Sequence, residues 1–239
     1  MGTLLASVIE AHDGAGRWQD FERVEATIVS QGDLWGIKGL PQDATPRRMS
    51  VWLHEQRASV EPFGDPDWHT AFTSERVAIE RSDGTVVQER STPRSSFDGH
   101  KLETPWDPLH RAYFNGYAMW NYLTMPFLLA APGVAVQEIA PWQEGGETWR
   151  VLRASFPPSL ATHSTSQDFY FGRDLLLRRH DYDVDVVGGF GAAQLVHDYI
   201  EGDGIRLPSK RRAYLRDATR QTVRESLMVS IDISDVHFS

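Results

Sequence analysis

Residues His180 to Gly189 read HDYDVDVVGG, three aspartates two apart behind a histidine. Such a run could ligate a cation, supply paired acids and bases, or form one face of a β-strand. A calcium-binding EF-hand loop opens with the same acidic spacing, but it needs glycine at its sixth position and glutamate at its twelfth. Counted from Asp181 those positions are Val186 and Ala192, so no metal site is expected. In an extended chain alternate residues share a face. Arg179, Asp181, Asp183 and Asp185 then form one face, expected to be solvated, and His180, Tyr182, Val184 and Val186 form the other. The stretch LVHDYIEG repeats the arrangement, with His197 and Tyr199 opposite Asp198. Aspartate is rarely buried unpaired, so the His and Tyr faces are expected to point inward. Same-face neighbours on paired strands lie about 5 Å apart. If the register brings them together, His180, Tyr182 and His197 are candidate catalytic acids and bases. In a pocket that only binds, the same groups and Tyr199 would form a polar floor.

Other motifs are mostly excluded. His54–Glu55 begins like HExxH, but residue 58 is alanine. GGFGAAQ lacks the spacing of a dinucleotide loop and is expected to be a turn; no P-loop and no G-x-S-x-G elbow occurs. PSKRRAYLR is a short basic strand, expected to be solvated or paired with the acidic face. His100, Asp107 and His110 gather before an apolar segment, as an entry loop or a pocket lip, and His163 falls in a polar loop.

The elements that must position these groups are mainly strands. Residues Gly2 to Ala11 suit a short helix, broken by HDGAG at His12–Gly16. Period-2 patterns follow. Val24, Ala26 and Ile28 share a face; RMSVWLHEQRASV reads as one strand with Met49, Val51 and Leu53 on one side and Trp52 and His54 on the other. Hairpins turn at Ser82–Gly84, Gly145–Gly146, Gly172–Asp174 and Gly202–Gly204, and TVRESLMVSIDISDV closes the chain. The exception begins at Asp107, a good N-cap followed by Pro108. Tyr113, Tyr117, Trp120 and Phe127 form one stripe there and Phe114, Ala118, Met125 and Leu128 another, so this helix is expected to be buried on both sides. Pro126 is expected to kink it or end it early, and Pro132–Gly133 to stop it. The expectation is a mainly β (α+β) fold: one antiparallel meander of about 10–11 strands curled around a buried apolar helix as a half-barrel, with residues 1–239 forming one domain.

Composition narrows the function classes. The chain has 239 residues and a net charge of −9, which disfavours non-specific nucleic-acid or anionic-membrane binding. It has no cysteine, which removes disulfides and thiolate chemistry. Ala112–Ala131, the most apolar stretch, is interrupted by Asn115, Gly116, Asn121 and Pro126 and makes a poor membrane span. The first residues lack a basic and a long apolar region, so a cytoplasmic location is expected.

The organisation across most of the chain, together with the phrases QDFYFGRDLLLRRHDYD and IEGDGIRLPSKRRAYLR, resembles the LolA/LolB-like half-barrel of bacterial lipoprotein carriers. The resemblance implies a concave apolar surface that accommodates an acyl chain or another hydrophobic ligand. It assigns no catalytic residue. Two readings stay open. One is a binding protein for a hydrophobic small molecule, with Trp52, His54, Tyr113, Tyr117, Trp120 and Tyr199 lining the cavity. The other is a cofactor-independent isomerase, dehydratase or cyclase using His and Tyr in the same space. A purely structural or interaction domain is a third. No cofactor is called for, and the oligomeric state is not fixed by the sequence. Calcium titration calorimetry is expected to be silent; a micromolar site abolished by Asp183→Asn would overturn this reading of the aspartates.

Overall fold

The computed structural model describes residues 2–13, 15–41 and 43–239. In chain order the elements are α1 (Thr3–Ala11), α2 (Ala15–Trp18), β1 (Arg23–Gln31), α3 (Asp33–Ile37), β2 (Arg47–Trp52), β3 (Arg57–Glu61), β4 (Trp68–Thr73), β5 (Arg76–Arg81) and β6 (Val86–Ser91). Then come α4 (Pro108–Thr124), β7 (Ala135–Glu144), β8 (Glu147–Ser155), β9 (Ser166–Phe171), β10 (Leu177–Val184), β11 (Phe190–Gly202), β12 (Ile205–Arg216) and β13 (Thr222–Phe238). The break expected at His12–Gly16 falls between α1 and α2, and its Gly14 lies outside the described residues.

All thirteen strands form one antiparallel sheet in the order β6-β5-β4-β3-β2-β1-β13-β12-β11-β10-β9-β8-β7. The chain builds outward from β1 to the β6 edge, crosses the concave face through α4 to the β7 edge, and returns until β13 pairs with β1. The curved, open, mainly β architecture is the one expected, with two more strands. RMSVWLHEQRASV is a hairpin, β2 and β3, turned at Leu53–Gln56 without glycine or proline to mark it. Trp68–Thr73 is the other addition, paired with β5. Among the described residues no helix is long and apolar enough to cross a membrane.

The crossing helix is fastened at its start. Asp107 accepts from the His110 backbone N–H at 2.8 Å, and His110 Nδ1 accepts from the Asp107 N–H at 3.1 Å, a reciprocal cap followed by Pro108. Arg90 of the edge strand β6 holds the Asp107 carboxylate at 2.6 Å. Pro126 ends the helix, and a 3-10 turn, Phe127–Ala130, continues it. Both apolar stripes are buried, as expected, and α4 packs against β2–β6. Gly116 makes the close approach to β4: a Cβ there would stand 2.3 Å from the Phe72 ring.

Two expectations about the outer face need correction. Asp181 is not solvated; it is 2% exposed. It meets Arg179 Nε at 2.6 Å and accepts from the Tyr170 hydroxyl at 2.9 Å. Arg179, itself fully buried, also reaches Glu144 at 2.7 Å and donates to the Arg220 carbonyl at 2.6 Å. Asp168 is held by Arg153 and Arg220. Residues from the ends of the β7–β8 and β12–β13 hairpins thus cover this stretch, and the paired cations make burial of the carboxylate affordable. Asp183 and Asp185 remain exposed. In the basic strand, Arg211 is buried on the inner face, whereas Arg212 pairs with Asp232.

Alanine is the better helix former by about 1 kcal/mol, so a helix that were merely exposed would gain from Gly116→Ala. Overpacking against Phe72 is expected to reverse the sign and cost about 1–3 kcal/mol in urea melts. A stabilised variant would show that α4 is not seated on β4.

Candidate functional site

Because α4 rests on β2–β6, its opposite side faces β10–β13 across a narrow slot. Phe114, Ala118, Met119 and Tyr122 form the helix wall. The sheet wall comes from β1 and β10–β13, including Ile28, Tyr182, Ala192, Ala213 and Met228, and α3 closes the side with Leu34 and Trp35. Gly32, at φ 125°, lets the chain entering α3 run against the Met228 backbone, where a Cβ would sit 2.3 Å from the carbonyl oxygen. The free volume is only about 30 Å³, about the share of one water. Ile28, Ser30 and Asn115 also line an open vestibule of about 320 Å³ at the N-terminal end of α4, with Arg47 and Arg111 in its wall.

The inner end of the slot carries polar groups. His163 is 2% exposed, from the loop between β8 and β9, and its ring stacks on Tyr182 at 4.1 Å. The Tyr117 hydroxyl lies 3.1 Å from Nδ1 and the Tyr122 hydroxyl 2.7 Å from Nε2. A neutral imidazole has one donor and one acceptor nitrogen, so one tyrosine donates and the other accepts. The Tyr122 hydroxyl also meets the Tyr182 hydroxyl at 3.1 Å; Gln194 donates to Tyr182 at 3.3 Å, and Arg211 donates to Gln194 at 2.8 Å. His180 stacks on Phe169 at 4.2 Å and bonds Gln167 Oε1 at 2.6 Å through Nε2. That nitrogen must donate to an amide oxygen, leaving His180 Nδ1 a bare, buried acceptor without a partner among the described residues.

Burial dominates the electrostatics. It pushes the His163 pKa down to about 3, helped by the charge of Arg94. His180 falls well below the ordinary histidine value through burial and then through His163 and Arg211. Tyr117, Tyr122 and Tyr182 are raised by the same desolvation. At neutral pH both imidazoles and the phenols are uncharged. The arrangement orients hydrogen bonds among uncharged groups.

The candidate residues read from the sequence divide accordingly. His180, Tyr182, Tyr113 and Tyr117 lie inside, and Tyr117 and Tyr182 meet at His163. His197 does not join them. The ladder between β11 and β12 slips around residue 197, and this bulge leaves His197 and Asp198 both exposed. Tyr199 is half-buried away from the slot, with its hydroxyl donating to the Leu177 carbonyl at 3.0 Å. Trp52 lies on the outer face over the Arg57 guanidinium, 4.0 Å away, because Met49 and Val51 take the inward positions. His54 is exposed and bonds the Phe21 carbonyl. Trp120 donates to the Trp52 and Glu55 carbonyls at 2.8 Å, closing the β2–β3 turn. His54 and Trp120 instead edge a separate cleft of about 600 Å³ at the C-terminal end of α4, with Trp18 stacked on Phe127 at 4.2 Å. Sequence reasoning missed Tyr122, Gln194 and Arg211. Gln194 and Arg211 were signalled only by their phase with Ala192 and Ala213 on neighbouring strands.

No family model and no curated protein matches the chain. Solved structures match over nearly its whole length. A DUF1329 family protein of Desulfovibrio piger is 11% identical with a TM-score of 0.55, covering 99% of this chain and 92% of its own. A LolA superfamily protein of Nitrosomonas europaea is 12% identical with a TM-score of 0.53, covering 96% and 91%. A domain of Vibrio parahaemolyticus provisionally assigned to outer membrane lipoprotein sorting is 10% identical with a TM-score of 0.56, covering 99% and 91%. At such identities the likeness is one of fold: the chain has a LolA-like fold.

The buried imidazoles set an acid sensitivity. Their folded-state pKa values lie below the unfolded value of about 6.5. Their neutral-form stabilisation is therefore complete above pH 6.5 and is lost as the pH falls, for His163 toward 3. His163 adds a slope of about 1.4 kcal/mol per pH unit within that window. His163→Gln is expected to flatten the urea-melt stability profile by about one such slope between pH 5.5 and 4. An unchanged slope would mean that His163 takes up its proton without unfolding.

Proposed function

We propose that this chain binds a hydrophobic, lipid-like small molecule on its concave face, with the apolar part in the slot between α4 and β10–β13. One observation carries the reading: an apolar slot that shares its wall with an open vestibule and ends on a single converging set of polar groups. Small-molecule sites have this composition. The neighbours named for the LolA superfamily and for lipoprotein sorting agree with the reading. The slot is too narrow for a ligand while α4 and α3 sit as they do, so binding requires that wall to give. Opening it moves the side of α4 that faces β10–β13 and parts hydrogen bonds across the slot, among them Tyr122 to His163 and to Tyr182. The residues 1–239 act together in this reading, because the helix wall and the sheet wall come from both halves of the chain.

Binding is favoured over catalysis because His163 and His180 are held neutral and three of their four ring nitrogens are already engaged. The neutral fluorophore N-phenyl-1-naphthylamine is expected to gain emission on binding with a micromolar Kd. Ala118→Phe and Ala213→Phe fill the slot from opposite walls and should each weaken uptake at least tenfold, with far-UV circular dichroism unchanged. Uptake that survives both while a bulky change at Leu160 in the end cleft abolishes it would place the ligand elsewhere and reject the proposal.

A further inference from the structure

The vestibule holds an electrostatic imbalance. Arg111, on the first turns of α4, is 9% exposed. Its Nη1 donates to the Pro41 carbonyl at 3.2 Å, and its Nε is buried without a partner among the described residues. Among the described residues no carboxylate oxygen lies within 4.0 Å of it. Its guanidinium lies over the Trp35 ring at 4.7 Å, which fixes the plane of the fork. The second cation in the wall, Arg47, is paired with Asp43 and bonds the Pro62 carbonyl. Asp43 is further engaged by the Thr45 N–H. Among the described residues Asp43 is the carboxylate lining the vestibule; its oxygens are taken up by Arg47 and the Thr45 N–H, and its charge reaches Arg111 only from beyond hydrogen-bonding distance.

That differs from the outer face, where fully buried Arg179 has Asp181 and Glu144 on it. Among the described residues Arg211 is the other buried guanidinium without a paired carboxylate, and its Nε is likewise unpartnered. It differs in having two acceptors: it donates to Gln194 Oε1 and to the Tyr122 carbonyl, is 1% exposed, and stacks over the Tyr122 ring at 4.7 Å. Arg111 instead lines a space of about 320 Å³ that opens outward and shares three wall residues with the slot. A buried cation without a counter-ion is costly, and a guanidinium edge accepts a carboxylate or phosphate through two parallel hydrogen bonds.

The geometry points to an anionic head group: the vestibule receives the carboxylate or phosphate of an amphiphile, with Arg111 as its counter-ion. This rests on the slot taking the apolar chain. Burial and the neighbouring charge of Arg47 lower the Arg111 pKa to about 10 against a partial offset from Asp43, which leaves it charged at neutral pH.

The test separates head from chain. Dodecanoate, dodecyl phosphate and dodecanol are titrated as competitors of N-phenyl-1-naphthylamine at pH 7.5, against the unaltered chain, Arg111→Met and Arg111→Lys. Either anion is expected to bind at least tenfold tighter than the alcohol, and the better of the two identifies the head. In Arg111→Met the preference should collapse to within about threefold while the dodecanol affinity holds; Arg111→Lys should keep part of it. Unchanged dodecanol binding also shows that the variant is folded. Equal binding of anion and alcohol by the unaltered chain overturns the inference and leaves slot binding intact. A preference that survives Arg111→Met also overturns it, since the head would then lie elsewhere. Failure of all three competitors and of the fluorophore sinks slot binding itself.

Discussion

The close contact between Gly116 of α4 and Phe72 of β4 decides where everything else on the concave face can lie. The sheet has two edges, β6 and β7, and the chain must travel between them. It does so as a 17-residue helix, which satisfies its own backbone while crossing an apolar surface. A helix placed midway would touch both halves of the curved sheet loosely. Here the missing Cβ draws it down onto β2–β5, and Arg90 on Asp107 fixes its start beside β6. The slot is the consequence: what α4 gains in contact on one side it gives up toward β10–β13.

The surface left by this one-sided seating is lined with phenols and imidazoles as well as aliphatic groups. Buried polar groups are tolerable when each finds a partner, and the chain Arg211–Gln194–Tyr182–Tyr122–His163–Tyr117 supplies them from three strands, one loop and the helix. The connection works in both directions. It ties the helix to the half of the sheet on which it does not pack, and it keeps the inner end of the slot polar but uncharged. A group held neutral by burial is a poor general acid or base at pH 7 and a good fixed donor or acceptor. That favours recognition over proton transfer.

Much of the architecture was legible because strand alternation is a strict physical rule, and because Asp107–Pro108 and Pro126 mark the helix ends by steric necessity. Alternation also put His180 and Tyr182 on the inner side. It failed where its premise failed. One bulged residue in β11 turned His197 outward beside Asp198. The β2–β3 turn, Leu53–Gln56, has none of the residues that announce a turn, because its conformation is held by Trp120 donating to two of its carbonyls. Asp181 was assigned to solvent because a sequence shows which face a residue takes and not what later covers that face; here Arg179 and Tyr170 do. His163 lay in a polar loop with no periodicity at all, and only the tertiary fold carries that loop under α4.

The placement of charge completes the picture. The chain has 33 Asp and Glu against 24 Lys and Arg, so carboxylates are plentiful. On the outer face they are spent freely: Arg153, Arg179, Arg216 and Arg220 share Asp168, Asp181, Asp183 and Glu144. On the concave side, Arg111 and Arg211 have none within 4.0 Å among the described residues, and Asp43 acts on Arg111 only from farther off. A scarcity of anions does not account for this difference. Covering two guanidiniums with neutral acceptors and aromatic rings forfeits the attraction of an ion pair, and such a cost survives only when the surrounding fold imposes it. For Arg211 the return is visible, since it terminates the hydrogen-bond chain that ties α4 to the sheet. For Arg111 the fold offers one carbonyl and a Trp35 ring at the wall of the open vestibule, with Nε buried and, among the described residues, unpartnered.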